Sequence, residues 1–239
     1  MLILALDTSS AAGSAAIVRD GTIVVERAGD ASRTHGERLP RELMTLLEEA
    51  RAGLDDVDLY AIATGPGSFT GLRIGIATIQ GLALAHDTLV APISTFEALA
   101  SVSLPPSVLP PPTSAATAVW VDAHRGEVFG MLYAADGRVL QAPTSLPPGA
   151  TLDAWAASID GLPRVAFAGD GAIKYREAIE SRLGSRASLP AGVPPLAGAI
   201  GRLAAGEPGR AVRPHAVVPI YVRRSDAELA RDRRQGDGA

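Results

Sequence analysis

Residues 65–75 read GPGSFTGLRIG, with four glycines and a proline between the apolar run YAIAT and a helix-like segment. How those glycines are used decides the fold. A Walker loop needs two glycines flanking four residues, then Lys and Ser or Thr, and here no lysine follows any of the glycines. A dinucleotide fingerprint needs GxGxxG, and the spacing Gly65, Gly67, Gly71 is one residue too long. A backbone nest that takes an anion at the helix start stays open. Packing is the other reading. Gly71 and Gly75 are four apart, and Ala77, Gly81 and Ala85 continue at four-residue steps. An interior glycine disfavours a helix by about 1 kcal/mol relative to alanine, so close approach by another helix has to offset it. Periodicity leaves that neighbour open between a part of this chain and another protein.

Upstream, LILALD at 2–7 and AAIVRDGTIVVE at 15–26 predict a three-stranded meander, with Asp20-Gly21 as the hairpin signal. THGERLPRELMTLLEEA at 34–50 places Leu39, Leu43, Leu46 and Leu47 on one helical stripe, with Pro40 in the first turn or at a kink. VDLYAIAT leads into a strand, and the glycine stretch opens a helix through about Ala85. Residues 89–92 read as a short strand and 94–103 as a helix with Thr95 at its N-cap. LPPSVLPPP at 104–112 is neither helix nor central strand and divides the chain into lobes at 1–106 and 113–225, followed by a polar tail at 226–239.

The second lobe repeats the first. Asp122, like Asp7, ends an apolar run. A turn and second run follow, then an acid-glycine pair, Asp136-Gly137 answering Asp20-Gly21. This pattern predicts a duplicated α/β unit. Residues 164–168 predict a strand ending at GDGA, with a helix following to about Leu183. Residues 196–205 predict a helix and 217–223 an extended stretch.

Composition narrows the chemistry. The chain has 239 residues, 47% of them hydrophobic, with a formal net charge of -4, so it lacks the basic footprint of a nucleic-acid binder. It has no cysteine, which removes disulfides, thiolate metal sites and cysteine nucleophiles. No signal peptide or apolar membrane span is legible, and a cytoplasmic location is expected. His35, His86, His124 and His215 are too scattered for a metal-binding pair and read as surface or capping residues. Asp7, beside Thr8 and Ser9, has two open readings: a holder of hydrated magnesium near phosphates, or a cap on the following turn.

LALDTSS at 4–10, THGERLP at 34–40, GPGSFTGLRIG at 65–75, VDAHRGEVF at 121–129, AGDGA at 168–172 and IYVRR at 220–224 together resemble the TsaB (YeaZ) family, nearly end to end. The resemblance implies an α/β fold of the actin/Hsp70/sugar-kinase (ASKHA) type, with two duplicated lobes and mixed sheets. It implies a part in making threonylcarbamoyladenosine at position 37 of tRNA. The transferase in that pathway is the paralogue TsaD, which carries an HxxxH metal pair. Here only His35 falls in the comparable region. The resemblance therefore implies a non-catalytic partner that forms a heterodimer with TsaD and is joined by the ATPase TsaE, while TsaC supplies threonylcarbamoyl-adenylate. Contact with tRNA would be indirect, and whether the chain forms a homodimer or stays a monomer when the partner is absent is left open.

By the same resemblance, helices at about 36–50 and 70–86 form the partner interface, carried here by His35, Leu39, Leu43, Gly67, Ser68, Phe69, Thr70, Gly71, Arg73, Ile74, Gly75 and Thr78. Arg73, a cation in the first turn of a helix, is expected to meet an outside carboxylate or phosphate. Asp7, Thr8 and Ser9 match a degenerate nucleotide motif in which Thr8 stands where kinases of the fold have glycine. No cofactor is assigned to this chain alone, and ATP or ADP with magnesium is expected only at a complex interface. The competing expectation is an ATPase or small-molecule kinase that uses Asp7 and Asp122 with magnesium. A metallopeptidase is excluded by the missing histidine pair.

Overall fold

LILALD and SAAIVR run apolar without alternation because the strands they form, β1 (Leu2–Asp7) and β2 (Ser14–Arg19), are covered on both faces. The computed structural model describes residues 1–103 and 115–223; the expected linker at 104–112 and tail at 226–239 lie outside them. Asp20 and Gly21 both take positive φ, 49° and 77°, as a tight two-residue hairpin requires, and turn β2 into β3 (Thr22–Ala28). Then come α1 (His35–Glu49), β4 (Leu59–Ala63), α2 (Phe69–Ala85), β5 (Leu89–Ile93) and α3 (Thr95–Ser103). The sheet order is β3-β2-β1-β4-β5, antiparallel in the meander and parallel from β1 through β4 to β5. Pro40 sits within α1, past its first turn.

The second unit comprises β6 (Ala115–Asp122), β7 (Val128–Ala134), β8 (Val139–Leu146), α4 (Pro148–Ala154), α5 (Ala156–Ile159), β9 (Arg164–Ala168), α6 (Asp170–Lys174), α7 (Arg176–Leu183) and β10 (Ala187–Ser188). Its order is β8-β7-β6-β9-β10, the same topology strand for strand. Asp7 and Asp122 close the central strands of the two sheets, so the duplication read from the acid-glycine spacing is present in the fold. A further helix, α8 (Ala197–Gly206), follows.

The lobes are joined by exchanged helices. α3 packs on β6 and β9 of the second sheet, whereas α8 lies across β1, β2 and the rest of the first sheet. The central core is therefore shared. It holds Ile3, Ala5 and Phe96 beside Val119, Val121, Leu196 and Ile200. α8 comes close because Gly198 and Gly201 carry no side chain; a Cβ on Gly201 would press on Val18 and Ala5. The first backbone donors of α8 have no partner within their own helix. Ser14 Oγ accepts Leu196 N and Ala197 N, both at 3.0 Å, and Glu26 Oε1 accepts Gly198 N at 2.7 Å. Two first-sheet side chains thus cap a helix from the far end of the chain.

Some local expectations change. Ser94, not Thr95, caps α3: its Oγ accepts Phe96 N at 3.2 Å and Thr95 is the first helical residue. The helix expected to reach Leu183 breaks at Tyr175 (φ -108°, ψ 30°) into α6 and α7. α4, α5 and the two-residue β10 were not legible; each is short, and proline and glycine mask the start of α4. Among the described residues, no helix is long and apolar enough to cross a membrane.

Replacing Ser14 by alanine strands two buried N–H groups at the start of α8. Ser14→Ala is expected to lower unfolding free energy by about 1–3 kcal/mol, measured by urea titration, with little change in secondary structure.

Candidate partner face and inter-lobe cleft

The glycine stretch grips the turn between β1 and β2. Gly67 lies against Ser9, and Ser68 N donates to Ser9 O at 2.7 Å. Ser68 then caps α2, its Oγ accepting Gly71 N at 3.2 Å. A Cβ on Gly71 would overlap the Thr8 carbonyl, and one on Gly75 would overlap the Thr8 side chain. The loop holds a backbone carbonyl of its own chain where an anion nest was one expectation. The small stripe also divides in two. Gly71 and Gly75 face inward on Thr8, while Ala77, Gly81 and Ala85 face solvent.

α1 grips the same turn from its other side. His35 Nε2 lies 3.0 Å from Ser10 O, and His35 Nδ1 lies 2.7 Å from Arg38 Nη2. A carbonyl can only accept and a guanidinium can only donate, so these contacts suit the neutral imidazole protonated at Nε2. Burial, then the Arg38 charge, hold the His35 pKa below its ordinary value. Arg38 also donates to Ala12 O and pairs with Glu42 at 2.6 Å. His35 is therefore interior, at 7% exposure, and not a surface histidine.

Burial corrects the expected interface in the same way. His35, Leu39, Leu43, Gly71 and Gly75 are all buried within this chain, so they position the outer face without reaching it. Gly67, Ser68, Ile74 and Thr78 are half-buried; Phe69, Thr70 and Arg73 are exposed. Met44 of α1 and Leu84 of α2, neither singled out from sequence, stand 46% and 65% exposed on the same two helices. Arg73 has neighbours within the chain, not only prospective outside ones. Its Nε donates to Tyr221 Oη at 3.0 Å, and its guanidinium lies 3.8 Å from the Phe69 ring centre. Tyr221 was missed because it lies 148 residues away in sequence, on a stretch without helical or strand periodicity.

Between the lobes lies a cleft of about 370 Å³, bordered by Asp7, Ser9, Ser10, Thr95, Val121 and Asp170 among others. Two backbone donors of the turn at its base are taken by side chains of the turn itself. Ser9 N donates to Asp7 Oδ1 at 2.8 Å and Gly13 N to Ser10 Oγ at 3.1 Å. Thr8 is fully buried behind α2, and among the described residues no lysine or arginine lines the cleft. Asp7 takes the turn-capping reading. Burial pushes its carboxyl pKa up from 3.8, against the opposing hydrogen bonds from Ser9. In the second lobe Asp122 Oδ2 is held by Lys174 Nζ at 2.7 Å, and Asp122 Oδ1 accepts His124 N at 3.0 Å. Magnesium on Asp122 would have to displace that lysine. The residues present do not fit a nucleotide with magnesium, and among the described residues no three His, Cys, Asp or Glu side chains cluster as metal ligands.

A family model described as TsaD, tRNA N6-adenosine threonylcarbamoyltransferase, matches residues 24–177. YeaZ from Pseudomonas aeruginosa superposes with a TM-score of 0.72 at 30% identity, covering 92% of this chain and 99% of that one. The chain belongs to the TsaB (YeaZ) family. The tRNA threonylcarbamoyladenosine biosynthesis protein TsaB of Bacillus subtilis is 28% identical over 231 residues, 95% of this chain and 96% of that protein. The activator of 2-hydroxyisocaproyl-CoA dehydratase from Clostridium difficile shares the fold alone, with a TM-score of 0.50 at 14% identity over 87% of this chain and 95% of that one. The two-lobed fold is thus of the actin/Hsp70/sugar-kinase type, as the resemblance to TsaB implied.

Two measurements check this TsaB-family site. Gly71→Ala forces a methyl into the Thr8 carbonyl and should cost about 1–3 kcal/mol in urea unfolding, whereas Gly81→Ala, with open space around it, should stabilise by up to about 1 kcal/mol. The raised Asp7 pKa means that the folded state holds its proton more tightly than the unfolded chain, so ionised Asp7 costs stability as pH rises above 3.8. Asp7→Asn keeps the acceptor for Ser9 N and removes that cost. Its unfolding free energy relative to wild type should grow between pH 4 and pH 7, in contrast to a carboxylate stabilised by folding.

Proposed function

We propose that this chain serves the synthesis of threonylcarbamoyladenosine in tRNA as a non-catalytic subunit, docking and activating a TsaD-type threonylcarbamoyltransferase. The observation that carries the reading is the outer face of α2. Ala77, Gly81 and Ala85 form a bare stripe, flanked by exposed Phe69, Arg73 and Leu84. Small residues let a partner helix come close, and the larger apolar side chains beside them supply area to bury. Family membership supports the pathway, because relatives of this length are named for tRNA threonylcarbamoyladenosine biosynthesis. The net charge of -4 is consistent with tRNA contact falling to partners, and a TsaE-type ATPase would join the pair. We assign nucleotide handling to those partners. The competing reading, an ATPase or kinase working through Asp7 and Asp122, is disfavoured by the Lys174 clamp and the occupied turn donors.

Size-exclusion chromatography with light scattering tests the docking. Wild-type chain mixed with the TsaD-type protein of the same genome should give a mixed complex. Ala77→Arg places a long cation on the bare stripe and should weaken the complex at least about tenfold without lowering the melting temperature. Magnesium with ATP should leave the melting temperature of the isolated chain unchanged, whereas a ligand at a hundred times its dissociation constant would add about 2.7 kcal/mol. A clear rise would favour the kinase reading.

A further inference from the structure

Residues 217–223 belong to neither sheet, yet they are held at Val217 and at each residue from Ile220 to Arg223, with Val218 exposed between. Gln80 Nε2 donates to Val217 O at 3.1 Å, and Val217 is 3% exposed in the core beneath α2. Ile220 N donates to Thr64 O at 2.7 Å, and Ile220 O sits beside Gly65. Tyr221 stacks on Phe69 with ring centres 5.4 Å apart and accepts the Arg73 hydrogen bond. The next residue, Val222, packs into the central core that both lobes share. Arg223 then crosses to the second lobe. Its Nη2 donates to Ala123 O at 3.0 Å and its Nη1 to Glu127 Oε2 at 3.1 Å, in the turn between β6 and β7.

We propose that residues 217–223 form a strap that couples the N-terminal face of α2 to the β6–β7 turn of the opposite lobe. Tyr221 grips one side and Arg223 the other, two residues apart, so at most about 7 Å of chain separates the two anchors. A segment that short has little slack to absorb a shift at either end. The turn it reaches follows Asp122, the residue held by Lys174. On the docking reading given above, a partner resting on Phe69, Arg73 and Tyr221 is sensed at residues 123–127. Coupling of this kind is reciprocal: what firms one anchor firms the other. Tyr221 and Arg223 are positioning residues in this scheme.

Amide hydrogen exchange on the isolated full chain decides it, because no partner is required. Tyr221→Ala should speed exchange at residues 123–129 by about threefold or more, and Arg223→Ala should do the same at residues 72–76. α7, remote from the strap, should be unchanged in both, which separates coupling from general loosening. Tyr221→Phe, which removes only the bond to Arg73 and keeps the ring stack, should show the same direction with smaller amplitude. If each variant alters exchange only beside its own side chain, the strap proposal is overturned. Adding the TsaD-type protein should slow exchange at 123–129 in wild type and not in Tyr221→Ala. Absence of any complex with wild type overturns the docking reading, and the exchange of the free chain still judges the strap.

Discussion

The turn joining β1 to β2 is the point on which the first lobe is organised. Six residues, 8–13, expose backbone carbonyls at the end of a fully buried strand, and buried carbonyls must find donors. They find them on the helices. Ser68 N takes Ser9 O, the His35 imidazole takes Ser10 O and the Arg38 guanidinium takes Ala12 O. The glycines at 67, 71 and 75 let α2 come close enough for that grip. One requirement therefore places both helices, buries their inner stripes and fixes which side chains face outward.

Topology was legible in the sequence because its signals are local. The acid-glycine pair at 20–21, the leucines at 39, 43, 46 and 47, and the repeat around Asp122 each act over a few residues and survive in the fold. What sequence could not resolve was orientation. Four-residue spacing says that Gly71, Gly75, Ala77, Gly81 and Ala85 are small; only the fold says that the first two face Thr8 and the last three face water. His35 and Leu43 sit on helices of the expected face but on their inner side. Contacts across long separations were invisible for a different reason. Nothing near Arg73 announces Tyr221, and nothing near Ser14 announces the start of α8.

The two lobes share a plan and differ in its use. After β4 the chain reads Gly65-Pro66-Gly67, and after β9 it reads Gly169-Asp170-Gly171. Gly65 lies against Leu72 and the Ile220 carbonyl, whereas the other three press on the central strand's end or the turn after it. Gly67 meets Ser9, while Gly169 and Gly171 meet the Trp120 carbonyl. In each case a side chain would collide with backbone, which cannot move aside as a flexible side chain can. Close approach of backbone thus accounts for Gly67, Gly169 and Gly171, three of the four glycines in the two G-x-G turns.

The difference lies in what covers the turn. In the first lobe α1 and α2 close over residues 8–13, and burial leaves Asp7 with a raised pKa. In the second lobe the corresponding turn is exposed at its tip, residues 124–126, while Arg223 holds its ends. His124 is 77% exposed, and His124, Arg125 and Gly126 all take positive φ. The counterpart of α1 is split into the short α4 and α5, and the counterpart of α2 into α6 and α7, so no long outer helix pair is available there. A helix needs several turns to present a continuous stripe, and α2 has 17 residues against 8 in α7. Among the described residues, the symmetry of the duplication is broken where the first lobe keeps α1 and α2 as long helices and the second has short ones.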